Sequence, residues 1–287
     1  MNLKSLALIS TSIVALGISS TAAQAASTTM GVVYLGFAEW WDNYDYPGSS
    51  SWDYNHPSVY GSGRVNIPYD TSTNVQVDVF GDASLHSSSG SLPAGALGNM
   101  GIGVHLNSRD QSQGLIGVFG ATGRVWDVNG YNNSPVFIAG LEGQYFCGHW
   151  TGYVQAGYMD SDSNSNFMQN AGFVRVLVSY YASPRLKLTG GLGYIDGETD
   201  GYNANAWTYQ ADAQYWFGKS VPVAFTLKYE GRESRVHYSS SYNPQLNSNQ
   251  VMAGFSLYFG GGSVEEADKT GAGTETPNFD WFRIPWD

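Results

Sequence analysis

Apolar and polar residues alternate with period two along most of this chain, which restricts those stretches to β-strands with one apolar face. In residues 250–259, Val251, Ala253, Phe255, Leu257 and Phe259 share one face, and Gln250, Met252, Gly254, Ser256 and Tyr258 share the other. Residues 223–232, 207–217, 186–194, 172–180, 75–82 and 59–67 repeat the pattern. A soluble sandwich would bury the apolar face and wet the polar one. A transmembrane barrel does the reverse, with apolar side chains toward lipid and polar ones toward a lumen. In these segments every charged residue falls on the polar face. One Arg or Lys on a lipid face costs about 2–4 kcal/mol at the midplane. That polar face also mixes bulky Lys228 and Arg232 with Gly191 and Gly193, as a crowded lumen requires. In residues 207–217, Trp207 and Tyr209 mark one end of the apolar face and Tyr215 and Phe217 the other, with Ala211 and Ala213 between. That matches two interfacial girdles about 25 Å apart. The expected fold class is all-β, a transmembrane antiparallel up-and-down β-barrel.

Composition narrows the function. Charged residues make up 13%, against about 25% in an average soluble domain. With 13 Lys+Arg against 24 Asp+Glu, no basic surface exists to neutralise phosphates, so no nucleic-acid partner is expected. Past the N-terminus no run of about 18 apolar residues could form a membrane helix. The single Cys147 excludes a disulfide scaffold. Residues 1–25 read as a Sec signal peptide: Lys4, an apolar stretch from Leu6 to Leu16, then Ala23-Gln24-Ala25.

Connections alternate in length. Short ones fall near Pro68–Ser72, Ser108–Gln111, Cys147–His149, Ser183-Pro184 and Gly218–Ser220. Longer polar ones fall near Asp42–Asn55, His86–Leu97, Trp126–Ser134, Asp160–Phe167, Gly197–Asn203 and Ser239–Ser248. Short periplasmic turns and longer external loops are the barrel habit. About 12 strands result if Gly31–Trp40 is the first, and an even count returns both ends of the barrel to the periplasm. The expected organisation is a signal peptide at 1–25, the barrel at 26–259 and a periplasmic C-terminal tail at 260–287.

Met252–Phe259, MAGFSLYF, resembles the C-terminal β-signal of outer-membrane barrels, with Gly254, Leu257 and Phe259 at its matching positions and Met252 where a polar residue is usual. Asn107-Ser108-Arg109-Asp110, the following Gly114-Leu115-Ile116-Gly117 and the strand end Tyr258-Phe259-Gly260 are similar to a porin-like outer-membrane β-barrel family of Gram-negative bacteria, of proteobacterial type. The resemblance is one of pattern, spans most of the chain and carries no catalytic motif. It implies location in the cell outer membrane, contact with its lipid and lipopolysaccharide, and insertion by the barrel-assembly machinery. The oligomeric state stays open.

Function is expected in the lumen. The strand phase points Arg64, Asp78, Asp82, Glu142, Arg175, Lys187, Asp212, Lys228, Glu230 and Arg232 inward. Two readings stand: a narrow polar pore for small hydrophilic solutes or ions, and a closed, ion-paired lumen in a structural or interaction protein. Barrel size leaves both open, because about eight strands are filled by side chains and sixteen form a channel. The external loops are acidic, through residues such as Asp42, Asp45, Asp53, Asp127, Asp196, Glu198 and Asp200. That is ordinary solvation or a means of bridging divalent cations to lipopolysaccharide. Asp160, Asp162, Asn164 and Asn166 alternate like part of a calcium loop but lack its Gly and closing Glu. A lipid hydrolase is the rival class. His86 abuts Ser87-Ser88-Ser89 and His237 lies near Ser239, yet sequence neighbours are not a triad, and no catalytic motif occurs. No cofactor or metal is expected. The tail opens on Gly260-Gly261-Gly262 and ends on Phe279-Asp280-Trp281-Phe282-Arg283-Ile284-Pro285-Trp286. An aromatic end on a polar spacer suggests docking in the periplasmic mouth or on another protein; otherwise it is a frayed terminus.

Overall fold

A computed structural model describes residues 29–48, 51–85, 98–126, 133–162, 167–218, 222–239, 242–260 and 263–285. The expected signal peptide lies outside the described residues. Twelve strands close into one antiparallel barrel, each paired with its chain neighbours, and β1 pairs β12 at the seam. They are β1 (Met30–Asp45), β2 (Trp52–Pro68), β3 (Thr73–Ser84), β4 (Gly98–Asp110), β5 (Gly114–Trp126), β6 (Asn133–Cys147), β7 (Trp150–Ser161), β8 (Gln169–Ser183), β9 (Leu186–Thr199), β10 (Tyr202–Trp216), β11 (Val223–His237) and β12 (Gln245–Phe259). The Gly31–Trp40 segment is part of β1, as the even count required.

Burial is inverted relative to a soluble protein. Leu35, Phe37, Leu141, Val176, Leu192 and Phe255 are 47–67% exposed on the outside, whereas Gln76, His105 and Gln155 are fully buried inside. So much exposed apolar surface is costly in water and is satisfied by hydrocarbon. No helix among the described residues is long and apolar enough to cross a membrane.

Both barrel termini, Met30 and Phe259, lie at one end, called proximal here, with the short turns. In the β2–β3 turn there, backbone N–H groups of Ser72 and Thr73 donate to Asp70 and hold its carboxyl down to about 2. The strands run 12 to 17 residues, longer than the roughly 9–11 a membrane needs. The surplus lies at the distal end. There the outward face turns polar: Glu233 pairs with Arg235 at 2.6 Å, and Tyr209 and Tyr229 donate to Asn249. Those distal ends had read as loops because neither face is apolar. The β9–β10 connection differs most. It is not a long loop but a two-residue hairpin turn, with Asp200 at φ 48° and Gly201 at φ 80°. An Asp-Gly pair with both φ positive is the turn whose twist suits paired strands.

Candidate functional site

The inward wall forms three layers. Near the proximal mouth Val32, Tyr181, Trp216, Ala224 and Tyr258 cluster. At the distal end Val125, Val136, Ile138, Met159, Ile195 and Val236 cluster with Phe167 and Met168 of the β7–β8 connection. Between them the wall is polar and charged.

The C-terminal segment is the main departure from expectation. Residues 263–285 do not extend as a periplasmic tail; they run up the lumen from the proximal mouth to the distal end. Helix α1 (Val264–Thr270) starts this path, capped by the Ser263 hydroxyl and braced by a Lys269–Glu265 pair at 2.7 Å. Its Val264 and Ala267 join the proximal cluster. The Arg109 guanidinium donates to the carbonyls of Lys269 and Gly271, and Asp268 pairs with Lys187. Arg109, beside the short turn after β4, thus faces the lumen. Residues 271–278 then have no neighbouring strand, and wall side chains take its place. Gln144 donates to the Gly273 carbonyl at 2.9 Å, Arg64 and Gln76 to that of Thr274, and Gln155 and Arg175 to that of Glu275. A lone extended segment inside a barrel needs such partners, because an unpaired buried backbone group is costly.

Farther up, the Asn278 side chain caps a 3-10 turn at Phe279–Phe282. Phe279, Trp281, Phe282 and Ile284 complete the distal cluster. The Met168 N–H donates to the Phe282 carbonyl, and Arg283 pairs with Asp42 at 2.7 Å. The wall is cut back to admit this path. A Cβ at Gly101 or Gly123 would overlap the Phe279 ring, and one at Gly103 would overlap Thr276. The aromatic residues do make the tail dock, but inside the barrel: its apolar end packs into the apolar cluster of the distal lumen.

All ten residues assigned to the lumen lie on the inward side. Arg64, Arg175, Lys187, Asp212, Lys228 and Glu230 line a cavity of about 140 Å³ in the middle layer, beside Glu275. Arg175 pairs with Glu275 at 3.0 Å, and Lys228 pairs with Glu230 at 2.6 Å. Asp78 and Glu142 flank His105, whose ring nitrogens lie 3.2 and 2.9 Å from them. The Thr276 hydroxyl and N–H both donate to Asp78. Asp82 accepts from Asn99, which also donates to Asp280. Arg232 is buried near Arg283 and Asp42.

Sequence reading put Asp42 in an acidic external loop, whereas it is buried in the distal lumen against Arg283, and it gave no lumen role to His105, Arg109, Glu275, Thr276 or Arg283. His105 was legible in principle, since it sits in inward phase with Gly101, Gly103 and Asn107 of β4. The tail groups have no periodicity and gave no signal. At the seam, Gly254 faces Gly36 with no room for a Cβ, Leu257 pairs with Val33, and Phe259 lies against Gly31.

Among the described residues no group of three or more His, Cys, Asp or Glu could hold a metal ion. Asn164, Asn166, His86 and Ser87-Ser88-Ser89 lie outside them. Asp160 accepts from the Ser161 and Asn170 N–H groups. His237 bonds the Asn205 amide at 2.9 Å. His105 does approach the Thr276 hydroxyl at 3.3 Å, but carboxylates face both its nitrogens and the ring is fully buried. With a carboxylate against each ring nitrogen, neither is free to take the proton of a hydroxyl.

Comparison with family models and with curated proteins finds no match. Solved structures do match. An outer-membrane channel from Pseudomonas putida F1 aligns over 84% of this chain and 98% of its own, with 16% identity and a TM-score of 0.58. A FadL homologue of Pseudomonas aeruginosa aligns over 80% of this chain and 90% of its own, at 8% identity and a TM-score of 0.43. A BenF-like porin from Pseudomonas fluorescens Pf-5 aligns over 80% and 99%, at 9% identity and a TM-score of 0.41. The chain shares the fold of the Pseudomonas putida outer-membrane channel.

Proposed function

We propose that this chain is an outer-membrane channel of the porin type: a narrow polar pore for passive diffusion of small hydrophilic solutes or ions, closed from within by its own residues 263–285. The proximal end then faces the periplasm. Outer-membrane lipid and lipopolysaccharide cover the outside, and the barrel-assembly machinery reads Gly254, Leu257 and Phe259.

The polar middle layer carries this reading. Its side chains hold the tail through hydrogen bonds that water could replace, and they leave a cavity beside Glu275. A barrel built only to be solid would gain more from apolar packing, since buried ion pairs are weak stabilisers. With the tail withdrawn, the same groups would line a wetted path.

Single-channel recording in planar bilayers tests the proposal. The native chain is expected to show rare, small conductance steps. A tail-loosening substitution in a chain that still shifts on heating in gels should make them frequent. Silence in such a folded variant refutes the pore and supports a structural barrel, the reading favoured by the two apolar seals.

A further inference from the structure

Arg64 and Arg175 meet around a carboxylate that belongs to the tail, not to the barrel wall, in a cavity that Lys187 also lines. We propose that this middle layer is a binding site for small carboxylate-bearing solutes, and that Glu275 occupies it as a built-in ligand. The inference deepens the channel reading by naming a solute class.

Glu275 lies 3.0 Å from Arg175 and 3.9 Å from Arg64, and Lys187 and Lys228 line the same cavity. The wall's own acids are largely committed. Glu230 holds Lys228, and Asp78 and Glu142 hold His105. The second tail carboxylate, Asp268, holds Lys187. When the tail withdraws, Arg64, Arg175 and Lys187 lose both of these partners together, and Asp212 and the Asp78 shared with His105 are left to offset three cations. An unbalanced cationic ring in a low-dielectric tube attracts anions.

Arg175 is shaped for the task. Its Nε and Nη2 are fixed on the Gln155 carbonyl oxygen at 3.1 and 2.6 Å, which aims Nη1 at the Glu275 carboxylate. The Tyr153 ring of the wall faces the guanidinium at 5.8 Å. A guanidinium held in plane recognises a carboxylate with little loss of freedom.

The test uses the full chain in detergent, titrated calorimetrically with succinate, with its uncharged diamide as control. Glu275→Gln removes the internal competitor, so it is expected to bind succinate roughly tenfold tighter than the native chain and to ignore the diamide. Adding Arg175→Gln should abolish binding. Glu275→Ser serves if Glu275→Gln does not fold. No succinate binding by either Glu275 variant, or binding that survives loss of Arg175, overturns the proposal. Bilayer recordings of the same variants separate the two readings. Conductance without succinate binding removes the site and keeps the pore. Binding in a silent barrel keeps the site and removes the pore.

Discussion

Arg283→Gln tests what holds the tail at its far end. Arg283 lies 2.7 Å from the Asp42 carboxylate and 5.7 Å from the Trp40 ring centroid, and side-chain exposure of the ion pair is 5% and 0%. The substitution leaves Asp42 buried with the Ser248 hydroxyl as donor and Arg232 as its nearby cation, without its direct ion pair. Stranding one member of a buried pair costs about 3–5 kcal/mol. That cost falls on the closed state, because Asp42 regains water once the tail leaves. At about 3 kcal/mol, the closed-to-open ratio falls roughly 150-fold. Asp42→Asn should act in the same direction by stranding the guanidinium. The double variant, with two neutral amides, should recover much of the loss, giving a coupling energy of about 1–3 kcal/mol. Open probability in bilayers and the rate of tryptic cleavage after Lys269 both report the effect. Single variants within twofold of the native chain on both measures, or strictly additive effects, would falsify the anchor.

Three further outcomes are expected. Val176→Arg places a cation in the acyl band and should lower unfolding stability in detergent or lipid by about 2–4 kcal/mol, whereas Gln210→Lys, facing the cavity, should stay within about 1 kcal/mol; equal losses would mean the strand register is off by one. Gly101→Leu should push Phe279 out of the distal cluster and raise open probability by roughly tenfold, the effect of about 1–3 kcal/mol of overpacking, while heat-modifiability shows an intact barrel. Gly201→Val forces a branched side chain to φ 80° and should destabilise the β9–β10 hairpin by at least about 1 kcal/mol in urea unfolding; no change there would contradict the turn geometry.

The barrel was legible because its outer face obeys one rule over every membrane-crossing stretch. In β12, Val251 to Phe259 alternate without exception, and both faces have a single solvent each. Legibility failed where that condition failed. Above the girdles Gln245, Asn247 and Asn249 face water outside while Ser248 and Gln250 face a polar interior, so the pattern vanished and strand became loop. At Asp200-Gly201 the turn signal was present but was read as part of a polar stretch. The lumen list came from strand phase alone, which gives direction but not partner. It could place Arg175 inside; it could not supply Glu275, a hundred residues away on a segment with no period. His105 was overlooked because a neutral-looking residue between Gly103 and Asn107 on the inward face carries no charge signal.

A plug on the same chain needs only modest contacts to stay in place. Phe259 ends β12 and Val264 begins α1, so the tail is tethered at the mouth it enters. A short tether gives an effective concentration in the millimolar range. Contacts worth about 4 kcal/mol between separate molecules then suffice to keep the lumen filled. Those contacts are unequal along the path. Helix α1 has seven residues, too few to hold its shape alone, and buries only Val264 and Ala267. The distal end buries Phe279, Trp281, Phe282 and Ile284 and carries the Arg283–Asp42 pair. Yet the tail can leave only through the proximal mouth. Its strongest grip is therefore at the end that must travel the whole lumen, so in the proposed channel breaking the distal contacts would limit opening. On the proposed channel reading, the middle layer, with its replaceable hydrogen bonds and exchangeable carboxylate, would decide which solutes take the tail's place once that grip is lost.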